Sequence, residues 1–203
     1  MATNVQNIAV GVFNAAAGGY TAELSTFASD ADLMAFIVST PEFAAQFPQE
    51  TDADFAAAFI AQIAPTATES GAAWATSWLV AQLEAGATKE EVMLTAINAL
   101  LEVGADNADF GDAGAAFANK VEAAEILSAN STETDVAALQ SSIASVTSDA
   151  STVDAAVDSI VNAGESFTLT NSATADTVIG TAGNDTVNGA SGTVANADII
   201  IDQ

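Results

Sequence analysis

The chain has 203 residues and a mass of 20.3 kDa, with 50% apolar but only 6% aromatic residues. Asp and Glu number 27 against two lysines, Lys89 and Lys120, with no Arg and no His, for a formal net charge of -25. That balance excludes nucleic-acid binding through neutralised phosphates and unassisted adhesion to an anionic bilayer. Without His or Cys it also excludes Ser-His-Asp and Cys-His relays and the usual zinc sites.

Zero cysteine means zero disulfides, so folding is independent of redox compartment. The opening MATNVQNIAVGVFNAAAG has neither a basic n-region nor a compact apolar h-region, so no Sec-type signal peptide is expected. No 18-residue run is free of polar residues, so no transmembrane segment is expected either.

Taken in order, the first segment spans Asn4 to Ala17. It carries Val5, Ile8, Ala9, Val12 and Phe13 at helical spacing, and Gly18-Gly19 is its expected stop. Asp30 is the expected cap of a short helix with Leu33, Met34, Ile37 and Val38. Pro41 suits the first turn of a brief helix through Phe43 and Phe47, closed by Pro48. Thr51 with Asp54 has the shape of a capping box and starts a helix through Phe55, Ala58, Phe59 and Ile63. Ser70 is the expected cap of the next helix, which holds Trp74, Trp78, Leu79, Ala81 and Leu83 and ends at Gly86.

Thr88 with Glu91 is a true capping box, and its helix presents Val92, Met93, Ala96, Ile97, Leu100 and Leu101. Only Ala85 to Ala87 separate it from the preceding helix, so the two are expected to pack antiparallel. A helix from Ala113 to Leu127 and two lighter ones, Val136 to Val146 and Val153 to Val161, complete the series. Alanine adds little hydrophobic area. This leaves Phe13, Phe36, Phe43, Phe55, Phe59, Trp74, Trp78, Phe110 and Phe117 as expected core anchors, with a recognition platform as the alternative for the two tryptophans. Lys120 lies two residues before Glu122 and five before Glu125, so its expected partner is an acidic group on another helix or a helix carboxy terminus.

Composition changes near Gly164, where Ser, Thr, Asn, Gly and Asp take over. The expected architecture is mainly α: a multi-helix, alanine-rich anchoring or assembly domain over 1–163, then a short β-rich segment over 164–203. Asp176 and Asp185 are nine apart, as are Val178 and Val187, and Gly180 and Gly189. Gly180, Gly183, Asn184, Asp185 and Val187 fit the calcium-binding nonapeptide G-G-x-G-x-D-x-U-x of a parallel β-roll, except that Thr181 takes the second glycine's place. Glycine permits the tight turn, Asp supplies a hard anionic oxygen, and the apolar residue faces the narrow core. Asp176, Gly180, Gly183, Asn184 and Asp185 are therefore the candidate ligands of Ca2+; the open alternative is an ordinary Asn/Gly turn between strands.

Much of the chain also resembles a helical domain of unknown function found in bacterial surface and adhesin-associated proteins. The resemblance rests on FIAQIAPTATESGAAWATSWLVAQLEAGATKEEVML from Phe59 to Leu94, on Ser39-Thr40-Pro41-Glu42-Phe43, and on Phe117-Ala118-Asn119-Lys120-Val121-Glu122. Gly164 to Thr170 and Gly180 to Thr186 resemble the join from such a domain into haemolysin-type (RTX-like) calcium-binding repeats.

The resemblance implies an extracellular S-layer or cell-surface protein exported by type I secretion. Its partners would be further copies of itself, as a homo-oligomer or lattice, and cell-surface polysaccharide. Members are longer, and Ile199-Ile200-Ile201-Asp202-Gln203 looks like a strand cut off inside the repeat region. The alternative is a non-catalytic module of a type I-secreted adhesin or enzyme whose activity lies beyond residue 203. Carboxylate pairs such as Asp52 with Asp54 or Glu90 with Glu91 occur by chance among 27 acidic residues, so the chain itself is not expected to be an enzyme.

Overall fold

A computed structural model describes residues 3–161, 166–169, 176–179, 186–189 and 199–201. The chain divides into two compact units, Met1–Ala156 and Val157–Gln203. The helices are α1 (Val5–Phe13), α2 (Thr21–Leu24), α3 (Asp30–Val38), α4 (Pro41–Gln46), α5 (Asp52–Ile63), α6 (Glu69–Glu84), α7 (Lys89–Leu101), α8 (Gly111–Asn130), α9 (Val136–Ile143) and α10 (Ser151–Val161).

Six of them start on a side-chain cap. Ser29, Thr40, Thr51, Thr68, Thr88 and Asp135 each accept a hydrogen bond from the backbone N–H three residues on, at 2.9–3.4 Å. Each such cap contributes about 0.5–2 kcal/mol. At Thr88 the box is complete, because Glu91 Oε2 also accepts from the Thr88 N–H at 2.9 Å. Asp54 has a shorter side chain, and its Oδ2 instead accepts from the Thr51 hydroxyl at 2.6 Å.

Two expected caps shift by a residue or two. Ser29, not Asp30, caps α3, and Asp30 accepts from the Asn4 backbone and amide nitrogens at 2.7 and 2.8 Å. Thr68, not Ser70, caps α6.

Helix α1 occupies the centre of the first unit and touches α3, α5, α7 and α8. Seven of its nine residues are buried, so it is covered nearly all round rather than along one stripe. It also ends earlier than Gly18. Asn14 takes the left-handed conformation (φ 50°) and caps the helix at Phe13, with its N–H donating to Val10 O at 2.9 Å.

The buried Gln6 amide then holds the chain beyond. Its Oε1 accepts from Ala17 N at 3.0 Å and its Nε2 donates to Thr21 Oγ1 at 3.3 Å. At Gly11 a methyl group would collide with Ile97 Cδ1 and lie 2.6 Å from Ile97 Cγ1, so the missing side chain permits the close approach of α1 and α7.

Phe43, Phe47, Phe55 and Phe59 form one aromatic cluster with centroids 5.3–6.5 Å apart. Lys89 Nζ lies 4.5 Å from the Phe55 ring centroid. The expected α6–α7 pairing exists but is minor. Helix α6 packs mainly on α5 and α7 mainly on α3.

Strands β1 (Ser166–Thr168), β2 (Thr177–Ile179), β3 (Thr186–Asn188) and β4 (Ile199–Ile201) pair in parallel as β1 with β3 and β2 with β4. The registers are Phe167 with Val187 and Val178 with Ile200, and Leu169 N donates to Asn188 O at 2.8 Å. This corrects the expected RTX-like β-roll start. The described strands form two separate two-stranded ladders, not a closed or curled sheet. Each described strand is three residues long and has one partner among the described strands, which leaves the ladders short and unclosed.

Candidate functional site

The helical periodicity of α6 puts two tryptophans where a core cannot take both. Its buried residues are Gly71, Ala75 and Leu79, spaced by four. At 3.6 residues per turn, Trp78 sits about 60° from the middle of that face and Trp74 about 100° away. Trp78 is accordingly half-buried and Trp74 is 65% exposed. This corrects the core assignment of the pair. Phe36 departs from the core for the same reason. The buried face of α3 is Leu33, Met34 and Ile37, and Phe36 is 44% exposed. Phe43, Phe55, Phe59 and Phe117 are buried as expected, whereas Phe13 and Phe110 are half-buried.

Trp74 stands beside a groove of about 200 Å³ between α5, α6 and α7. Ile60, Ile63, Trp78, Leu79, Ala96, Leu100, Val103 and Phe110 contribute apolar surface, and Thr95 is the one hydroxyl-bearing residue in its lining. The Phe110 ring meets the indole edge-on at 6.4 Å between centroids.

Ser70 lies one turn before Trp74 on the same side of α6. Its hydroxyl donates to Asp109 Oδ1 at 3.2 Å, and the Thr68 hydroxyl donates to the same oxygen. Thr68 N also donates to Asp109 O at 3.0 Å, which ties the start of α6 to the loop before α8. A flat exposed indole, two hydroxyls and a carboxylate therefore share one surface. Such a surface can stack on the apolar face of a ring and hydrogen-bond its hydroxyls.

The spacing of Ser70 and Trp74 was available in the sequence. The contribution of Asp109 was not, because it arrives from 39 residues away.

Of the candidate calcium ligands, Asp176 lies half-buried immediately before β2. Gly180, Gly183, Asn184 and Asp185 lie outside the described residues. Among the described residues no group of three or more Asp or Glu side chains is placed to hold a metal ion. The proposed donors are carboxylate, amide and backbone carbonyl oxygens, a set that suits calcium and not a soft metal. Among the described residues no helix is long and apolar enough to cross a membrane.

Lys120 finds a helix carboxy terminus. Its Nζ donates to Asn14 Oδ1, the cap of α1, at 2.8 Å. Partial burial lowers its pKa from 10.5 by desolvating the ammonium. Between that lowered value and 10.5 the folded chain binds fewer protons at this site than the unfolded chain, so stability rises as pH rises through the window. Below the window the desolvation cost is present in full.

Lys120→Met is expected to remove this alkaline gain. Urea unfolding of the native chain and the variant, from neutral pH to 10.5, checks it. Parallel stability curves would reduce Lys120 to a solvated side chain.

No family model, curated protein or solved structure matches the chain.

Proposed function

We propose that the chain is a non-catalytic segment of a bacterial surface-layer protein, in which the helical unit anchors to cell-surface polysaccharide. The exposure of Trp74 beside Ser70, Thr68 and Asp109 is the observation that carries this reading. A 65% exposed indole contributes little to the core and offers a broad face for stacking. A net charge of -25 favours a neutral or cationic polymer over an anionic one. Neutral polysaccharide meets that condition and matches the hydroxyl-rich rim. Binding to immobilised polysaccharide, compared between the native chain and Trp74→Ala, tests the anchoring role.

Self-assembly in this reading depends on calcium at the nine-residue repeat. Copies with this charge repel one another unless cations offset it. Asp185, Asn184 and Asp176, with carbonyls around Gly180 and Gly183, supply the oxygens. Affinity is expected near 10⁻⁴–10⁻³ M, in the range of extracellular calcium modules.

Metal that prefers ordered turns also stabilises them. The segment after Gly164 is therefore expected to gain protease resistance in millimolar calcium, and Asp185→Asn to lose both that protection and most of the calorimetric binding. Equal calcium binding and equal cleavage in the two proteins would remove Asp185 from the ligand set.

A further inference from the structure

A second groove in the helical unit, of about 320 Å³, lies apart from the Trp74 surface. The chain between α1 and the 3-10 turn at Gly18–Tyr20 forms part of it through Ala15, Ala16 and Ala17, which are buried and small. Three aromatic side chains line it: Phe13, Tyr20 and Phe36. Two of these, Tyr20 at 40% and Phe36 at 44%, are among the most exposed large apolar side chains of the described residues.

Neither ring is loose. The Tyr20 hydroxyl donates to Thr134 O at 3.1 Å, and Phe36 packs on Phe27 with centroids 5.1 Å apart. Each ring is thus held on one side while the groove receives the other. A preorganised wall of this kind loses little entropy when a ligand settles against it.

The charged residues that line this groove are both acidic, Glu23 and Glu42; Thr40 is neutral, and no basic residue lines it. The two lysines of the chain are committed elsewhere, Lys89 over the Phe55 ring and Lys120 on Asn14. Aromatic faces and carboxylates both attract a cation that is too apolar to prefer water strongly, which is the chemistry of alkylated ammonium ions.

We propose that this groove binds a small soluble quaternary ammonium compound, with Phe13, Tyr20 and Phe36 facing its methyl groups and Glu23 and Glu42 balancing its charge. A hard metal ion fits poorly, because calcium takes about six to eight oxygens and the groove sets only two carboxylate residues, Glu23 and Glu42, among its rings and alanines. A neutral apolar solute leaves the two carboxylates without a counter-charge. An anionic ligand is repelled.

The test is titration of the full chain with choline, followed by amide NMR shifts, at constant ionic strength set with sodium chloride. Saturable shifts centred on Ala15 to Ala17, Tyr20 and Phe36 are expected. Phe36→Ala and Glu42→Gln alter exposed positions and are each expected to weaken choline binding by about threefold or more, with circular dichroism unchanged. Trp74→Ala is expected to leave it unaltered, which separates this site from the polysaccharide surface. 3,3-Dimethylbutan-1-ol, the neutral isostere of choline, is expected to bind much more weakly.

Equal binding of the neutral isostere would overturn the cation assignment and leave an apolar pocket. Shifts spread over the whole acidic surface, no saturable shift, or no response to the Phe36 and Glu42 changes would overturn the site. Co-sedimentation with phosphatidylcholine vesicles that depended on Phe36, without binding of free choline, would overturn the small-solute form of the proposal.

Discussion

Replacing Phe59 with alanine is expected to destabilise the helical unit by about 3–5 kcal/mol, a large part of the stability of a typical domain. Phe59 has no exposed surface. Its ring stacks on Phe55 within 4° of parallel and meets Phe47 nearly edge-on at 6.0 Å. The neighbouring rings belong to α5 and to the segment between α4 and α5, so truncation leaves a void that cannot close without moving backbone. Urea unfolding followed by circular dichroism measures the loss. Phe36→Ala serves as the contrast, because its side chain is 44% exposed and its loss should fall within about 1 kcal/mol. Equal costs at the two positions would contradict the placement of the core.

Gly18→Ala is expected to cost about 2–5 kcal/mol, from two separate penalties that act together. The residue has φ +52°, where an L side chain meets its own backbone. An added Cβ would also collide with Leu139 Cδ2 and lie 2.5 Å from the Glu133 carbonyl oxygen, which is backbone and cannot swing aside. The same turn carries two bonds that tie the chain after α1 to later residues. Gly18 N donates to Ser128 Oγ at 2.8 Å and Gly19 N to Glu133 O at 2.7 Å. A shift that relieves the clash would break them, leaving buried groups unpaired. Thermal unfolding of the variant measures the effect. Native stability would show that the turn relaxes without cost.

The helical plan was legible where short-range physics decides it. The Thr88–Glu91 box and Pro41 at the first turn of α4 depend on residues within one turn, and both occur as read. The stop at Asn14 was hidden because alanines continue the helical composition to Ala17, while the bonds that turn them away come from Gln6 and Leu139.

Burial of the aromatics follows angular position on the helix and not residue size: on α6 the small residues Gly71 and Ala75 face inward in place of Trp74. In the strand segment the nine-residue period was legible. Pairing was not, because β1 joins β3 and β2 joins β4 across an intervening strand. For the Trp74 surface, Ser70 and Trp74 could be placed together from their spacing, but Asp109 reaches them only through the tertiary fold.

The anchoring role is tested most directly by binding of the full chain to a panel of immobilised neutral polysaccharides, native against Trp74→Ala. Saturable binding by the native chain is expected. Loss of the indole should weaken it by about 2 kcal/mol, roughly thirtyfold in Kd. Trp74 is 65% exposed, so the unfolding midpoint should move far less than for Phe59→Ala. Absence of binding by the native chain, or equal binding by the two proteins, would contradict polysaccharide anchoring through this surface.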